Sequence, residues 1–191
     1  KLVRDNIPKI IEEKNETPII RILNDAEYKE ALEKKLVVPF HYFGITDIDL
    51  IDYTGIDIND IQRLSKLLEI NERVDFIIEK MNFYGFDGYK RKAVGFCASV
   101  EHAKFMANQF NKRGIKSIAL TGGDSVNKRQ DEIKKLEDDN NGLEVIFTVD
   151  WFNEGIDIPS INLILMLRPT QSSIIFIQQL GRGLRKYKEK E

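Results

Sequence analysis

The residues whose types and spacing could do chemistry stand near the carboxyl end, in Gln178-Gln179-Leu180-Gly181-Arg182-Gly183-Leu184-Arg185. On a helix, Gln178 and Arg182 are i,i+4 neighbours, and Arg182 and Arg185 are i,i+3 neighbours. One face then carries two guanidiniums beside an amide, with Gly181 leaving room for close approach. Two planar cationic forks suit a polyphosphate whose charge redistributes during transfer. The same eight residues equally suit a basic helix end answering its own dipole. Upstream lies Thr148-Val149-Asp150-Trp151-Phe152-Asn153-Glu154-Gly155-Ile156-Asp157-Ile158-Pro159. It holds a hydroxyl, a glycine and a carboxylate in one loop. Such groups can meet a phosphate, a ribose or an arginine. Alone, that loop reads first as a turn and a helix cap, with Asp157 paired to a local cation.

The elements that must position these residues alternate strand and helix. Ala93–Ala98, Ile115–Leu120, Glu144–Val149 and Ile161–Leu167 are compact apolar runs of strand length, as in strands buried on both faces. Ser99 is placed to cap a helix whose apolar face is Val100, Ala103, Ala107 and Phe110, and Gly114 to stop it. Ser125 is placed to cap a charged helix over Val126–Glu137 with Ile133 and Leu136 facing inward. Crossover helices of this length imply a parallel sheet in a three-layer α/β architecture. In such sheets ligands meet the loops leaving the carboxyl ends of the strands. Here those loops are Ser99, Thr121–Ser125, Asp150–Ser160 and Arg168–Ser173. The front half is less regular. Leu2–Lys14 and Ala26–Leu36 look helical, and Pro39 argues against a central strand in Val37–Gly44. Ile58–Leu68 and Glu72–Phe83 are expected to pair, through Ile61, Leu64, Leu67 and Leu68 on one helix and Val74, Ile77, Ile78 and Met81 on the other. Asn82–Arg91 reads as a linker.

In this order and on these elements, the segments resemble the C-terminal RecA-like lobe of superfamily 2 helicases. Gly95-Phe96-Cys97-Ala98-Ser99 looks like that family's motif IV, Thr148 through Pro159 like motif V, and Gln178 through Arg185 like motif VI. The wording around Ala93–Gly122 is most similar to restriction and repair helicases of the DEAD/DEAH-box type. The resemblance covers about residues 37–188. It implies that Arg182 and Arg185 are arginine fingers reaching ATP on an opposite lobe, with Gln178 beside the γ-phosphate. It implies that Gly155 and Asp157 couple nucleotide state to the strand-binding surface. Ser99, Thr121, Gly122 and Thr148 would touch the phosphodiester backbone without reading sequence. Motif VI opens with Gln where strict DEAD-box RNA helicases have His-Arg, which favours DNA over RNA. No G-x-x-x-x-G-K-[ST] and no Asp-Glu-x-His or Asp-Glu-x-Asp box occurs. ATP and Mg²⁺ are therefore expected mainly on an N-terminal RecA-like lobe, and the fragment alone is expected to be inactive as an ATPase.

Residues 1–36 resemble the opening of MazG-like nucleotide pyrophosphohydrolases, which hold magnesium on helix-borne carboxylates. Glu27, Glu30 and Glu33 share one helix face here, and a solvated surface explains them more simply. The expected organisation is a helical segment over 1–36, a linker and helix pair over 37–90, and the motor lobe over 91–191. Two other functions stay open: a pyrophosphohydrolase fusion and a non-catalytic nucleic-acid-binding module. Composition narrows the field further. The 191 residues carry 29 Lys and Arg against 31 Asp and Glu, a net −2. Residues 1–90 hold 13 basic and 18 acidic side chains, so residues 91–191 hold 16 and 13. A uniformly basic nucleic-acid binder is excluded, and any polyanion contact must be a local patch. No apolar run reaches the length of a spanning helix, and Lys1–Ile10 has no signal-like core, so a cytoplasmic protein with no membrane partner is expected. The single cysteine, Cys97, excludes an intrachain disulfide framework and any cysteine-rich zinc site and sits in a buried-strand run as a small core residue. His41 falls in an aromatic segment, where packing explains it better than ligation. His102, in the first turn of a helix, is expected to be exposed. Trp151 and Phe152 suit either base stacking or burial.

Overall fold

A computed structural model describes residues 43–45, 47–49, 51–57, 59–149, 158 and 160–168. In chain order the elements are α1 (Ile61–Leu68), α2 (Asn71–Tyr84), β1 (Ala93–Phe96), α3 (Val100–Lys112), β2 (Ser117–Ala119), α4 (Val126–Glu137), β3 (Val145–Thr148) and β4 (Leu163–Met166). The four strands form one parallel sheet in the order β2-β3-β1-β4.

Period-two alternation divides the sheet between two cores. Ala93, Cys97, Val145 and Phe147 face α2 and α3, packing with Val74, Met81, Ala103, Met106, Ala107 and Phe110. Val94, Phe96 and Ile146 face the other way, onto Ile133 and Leu136 of α4. The three-layer α/β expectation holds. Gly95 lets the first core close, because its register partner Phe147 lays its ring across the space a side chain would fill. A Cβ there would meet Phe147 Cδ1 at 2.5 Å. The same ring meets Phe110 edge to face, with centroids 4.9 Å apart.

Local signals set the helix ends. Ser99 Oγ accepts the His102 N–H at 3.0 Å and starts α3. Gly114, at φ +81°, reverses the chain after it, a backbone setting that a side chain disfavours. Ser125 Oγ accepts from Lys128 N at 3.2 Å and starts α4. The ammonium of Lys90 donates to the carbonyls of Leu136 and Asp138, where α4 ends and orphan carbonyls need partners.

Two expectations are corrected. The first helices do not form a mutually packed pair. Leu64 and Leu68 of α1 enter a small cluster with Ile51 and Ala98, whereas Val74 and Met81 of α2 enter the α3 core. Periodicity identified most of each apolar face but not what it meets, and Ile61, expected to pack, is exposed at the first turn of α1. His102 is fully buried, not exposed. It shares the α3 face of Ala103, Met106, Ala107 and Phe110, and its Nδ1 accepts the Ala98 N–H at 3.2 Å. With Nδ1 accepting, the proton of the neutral ring is assigned to Nε2, which has no hydrogen-bond partner. Burial, then the nearby Arg73 charge, push this imidazole down to about 3. Cys97 is buried as expected, and burial raises its thiol well above the usual range. Among the described residues no helix is long and apolar enough to cross a membrane.

Two outcomes follow for stability. Gly95→Ala forces the Phe147 ring to move and is expected to cost about 1–3 kcal/mol in urea unfolding, with part recovered in Gly95→Ala/Phe147→Leu. A cost below about 0.3 kcal/mol contradicts the close approach. For His102, the unfolded chain binds a proton below about pH 6.5 and the folded chain only near pH 3, so stability falls on acidification through that window. Denaturation between pH 7 and 5 is expected to show a slope approaching about 1.4 kcal/mol per pH unit below pH 6. The slope should be lost in His102→Gln, which keeps an acceptor for Ala98. Identical pH profiles for the two proteins contradict a buried neutral imidazole.

Candidate nucleic-acid interface

Parallel register brings the carboxyl ends of the strands to one edge. Phe96 of β1 pairs with Thr148 of β3 and with Met166 of β4, and Ala119 of β2 pairs with Phe147. Ser99, Thr121 with Gly122, and Thr148 therefore leave or end three adjacent strands at the same level. Of the predicted site residues these four are described, and the sheet brings them together on one edge. Gly155, Asp157, Gln178, Arg182 and Arg185 lie outside the described residues, as do residues 1–36, His41, Trp151 and Phe152.

Two hydroxyls on this edge, those of Thr121 and Ser99, are already engaged. Thr121 donates both its N–H (2.8 Å) and its Oγ1 hydroxyl (3.0 Å) to Asp124 Oδ2. Lys128 spends its charge on the other oxygen of Asp124. Burial pulls the Asp124 carboxyl upward, but Lys128 and the two Thr121 donors outweigh it and hold the group below the usual carboxylate range. A hydroxyl bound this way has lone pairs to offer but no proton, whereas a phosphate needs a donor. Gly122 is exposed, and a Cβ there would meet nothing within 4 Å. This turn can therefore offer backbone close to a strand. Thr148 is buried and its carbonyl accepts the Cys97 N–H at 2.7 Å, which locks the end of β3 to the start of the Ser99 loop.

A second group stands at the end of β4. The buried Arg73 of α2 donates from Nε to Asp47 Oδ2 (2.8 Å) and from Nη2 to the Leu167 carbonyl (3.1 Å). Asp47 also accepts the Tyr53 hydroxyl at 2.8 Å and the Ile48 N–H at 3.0 Å. Burial raises the Asp47 carboxyl, and Arg73, Tyr53 and Ile48 more than offset it, so it lies below its usual range. Burial, then the Asp47 carboxylate, push Tyr53 up to about 12. These bonds fasten the segment before α1 to the strand end that leads toward residues 168–185.

Sequence reasoning gave no functional role to Asp124, Lys128, Asp47 and Arg73. The T-x-x-D spacing of Thr121 and Asp124 was a local signal that could have found the first. Arg73 and Leu167 are 94 residues apart, and no spacing rule reaches that far.

The family model described as helicase conserved C-terminal domain matches residues 72–187. A 51.5 kDa protein of a Lactococcus phage is 28% identical over 162 residues, 81% of this chain and 33% of its own length. IRC3 of Saccharomyces cerevisiae, whose name carries the provisional description ATP-dependent helicase, is 29% identical over 128 residues, 67% of this chain and 18% of its own. This chain thus spans a third or less of these relatives. Among solved structures, domain 2 of the DEAD-box helicase Mss116p bound to an RNA duplex matches at TM-score 0.48 and 23% identity, covering 66% of this chain and 48% of that one. The Pyrococcus furiosus Hef helicase domain matches at TM-score 0.43 and 24% identity, over 60% and 23%.

Proposed function

The chain belongs to the helicase conserved C-terminal domain family, and on that footing we propose that it is the C-terminal motor lobe of an ATP-dependent superfamily 2 helicase or translocase acting on DNA. The observation that carries this reading is the shared edge, where Ser99, Thr121, Gly122 and Thr148 stand at the carboxyl ends of adjacent parallel strands. The family match also continues through residues 178–185.

In this reading the lobe has two tasks. Arg182 and Arg185 reach ATP held by an N-terminal RecA-like lobe and offset the charge that develops on the transferred phosphoryl group. Gln178 orients the γ-phosphate region, and Gly155 and Asp157 link nucleotide state to the strand surface. The edge residues hold phosphodiester oxygens through backbone and hydroxyl donors, so contact is independent of base sequence. At the Thr121 turn the exposed backbone of Gly122 serves this purpose best, because the Thr121 hydroxyl is bound to Asp124. ATP with Mg²⁺, held mainly by that other lobe, would supply the phosphoryl transfer that drives movement. Among the described residues no three His, Cys, Asp or Glu side chains gather to hold a metal. DNA is preferred over RNA because the segment opens with Gln178 where strict DEAD-box RNA helicases open with His-Arg.

The test is reconstitution. This chain alone is expected to hydrolyse no ATP above background. With a separately expressed P-loop lobe and single-stranded DNA, turnover is expected to appear, and Arg182→Ala or Arg185→Ala should lower kcat by roughly 10³-fold. Turnover by the isolated chain, or full turnover by both variants, contradicts the assignment.

A further inference from the structure

Each hydroxyl has one proton, and the side chains behind Ser99 decide where its proton goes. Ser65, buried on α1, has its Oγ 2.8 Å from Glu69 Oε1 and 2.6 Å from Ser99 Oγ. A carboxylate has no proton to give, so Ser65 donates to Glu69. The bond between the two hydroxyls must then run from Ser99 to Ser65. On its other side Ser99 accepts the His102 N–H that caps α3. In this arrangement Ser99 has no proton left for a phosphate oxygen, which can only accept. Glu69 closes α1, and Ile70, the next residue, opens α2.

We propose that Ser65 and Glu69 are positioning residues that set the affinity of Ser99 for a nucleic-acid strand. The proposal rests on the reading that Ser99 meets the phosphodiester backbone. In the free chain the relay runs from Ser99 to Ser65 to Glu69. When a phosphate arrives it runs backward: Ser65 turns its proton to Ser99, Ser99 turns its own to the phosphate oxygen, and Glu69 loses its hydroxyl partner. Every oxygen keeps its proton, and only two O–H rotors move. One charge-assisted hydrogen bond, to the Glu69 carboxylate, is exchanged for another, to the phosphate. The two states are therefore close in free energy, and a single side chain can tip the balance.

The experiment is equilibrium binding of a fluorescent single-stranded DNA to this chain at fixed salt. It compares wild type with Ser65→Ala, Glu69→Gln, Ser99→Ala and the doubles Ser65→Ala/Ser99→Ala and Glu69→Gln/Ser99→Ala. Ser65→Ala removes the acceptor for the Ser99 proton while leaving the Glu69 charge in place, and is expected to tighten binding about fivefold. Glu69→Gln, at a half-buried position, is expected to tighten it similarly and carries the test if Ser65→Ala lowers stability. Ser99→Ala is expected to weaken binding and to abolish both gains, a coupling that a merely structural role would not produce. Gains that persist without Ser99 assign the effect to charge alone and overturn the relay. Single variants within twofold of wild type, with Ser99→Ala still weakening, overturn the relay but leave the strand-contact reading standing. An inert Ser99→Ala removes that reading itself, and the relay with it.

Discussion

The register of β1 with its two neighbours is the constraint on which the rest depends. Phe96 sits level with Thr148 on one side and Met166 on the other, so the segments that follow start from one line. The register is held by packing as much as by the ladder. Gly95 opposite Phe147 is a small-against-large pair that fits only when the two are aligned, and a slip by one residue would drive the ring toward the α4 side of the sheet. A parallel sheet buried on both faces cannot tolerate such a slip, since each strand would exchange the two cores it serves. Chemistry at the edge is thus a consequence of packing within the sheet.

Much of this was legible because its causes are local. Ser99 and Gly114 bound α3, and Ser125 opens α4, as capping and left-handed backbone require. The four apolar runs became strands, each shorter than its run because ladder pairing needs a neighbour at every step. What escaped was whatever depends on a distant partner. His102 reads as polar and first-turn, yet it is four residues from Met106 and eight from Phe110 on the same face. Its burial is affordable because the Ala98 N–H meets Nδ1. The faces of α1 and α2 were identified while their partners were not, since a stripe of Leu and Val does not name the surface it will cover. Arg73 gave no signal at all, because its carbonyl partner Leu167 is 94 residues away, just past the end of β4.

The edge is also more committed than its residue types suggest. A serine and a threonine at strand ends invite a phosphate, but here their protons already serve Ser65 and Asp124. In the proposed role, strand binding at such positions would be an exchange of hydrogen bonds and not a simple gain. The charge pattern agrees in kind. Residues 91–191 carry a net +3 and residues 1–90 a net −5, so any polyanion contact would be a local patch and not a whole-surface effect.

The most direct test of this account is amide hydrogen exchange on the chain with and without single-stranded DNA. Slowed exchange is expected at residues 99–101, 121–123 and 148–149, at the carboxyl ends of the strands, with little change at residues 92, 116 and 144 at the opposite ends. Protection confined to the opposite ends, or to the outer face of α4, would contradict it.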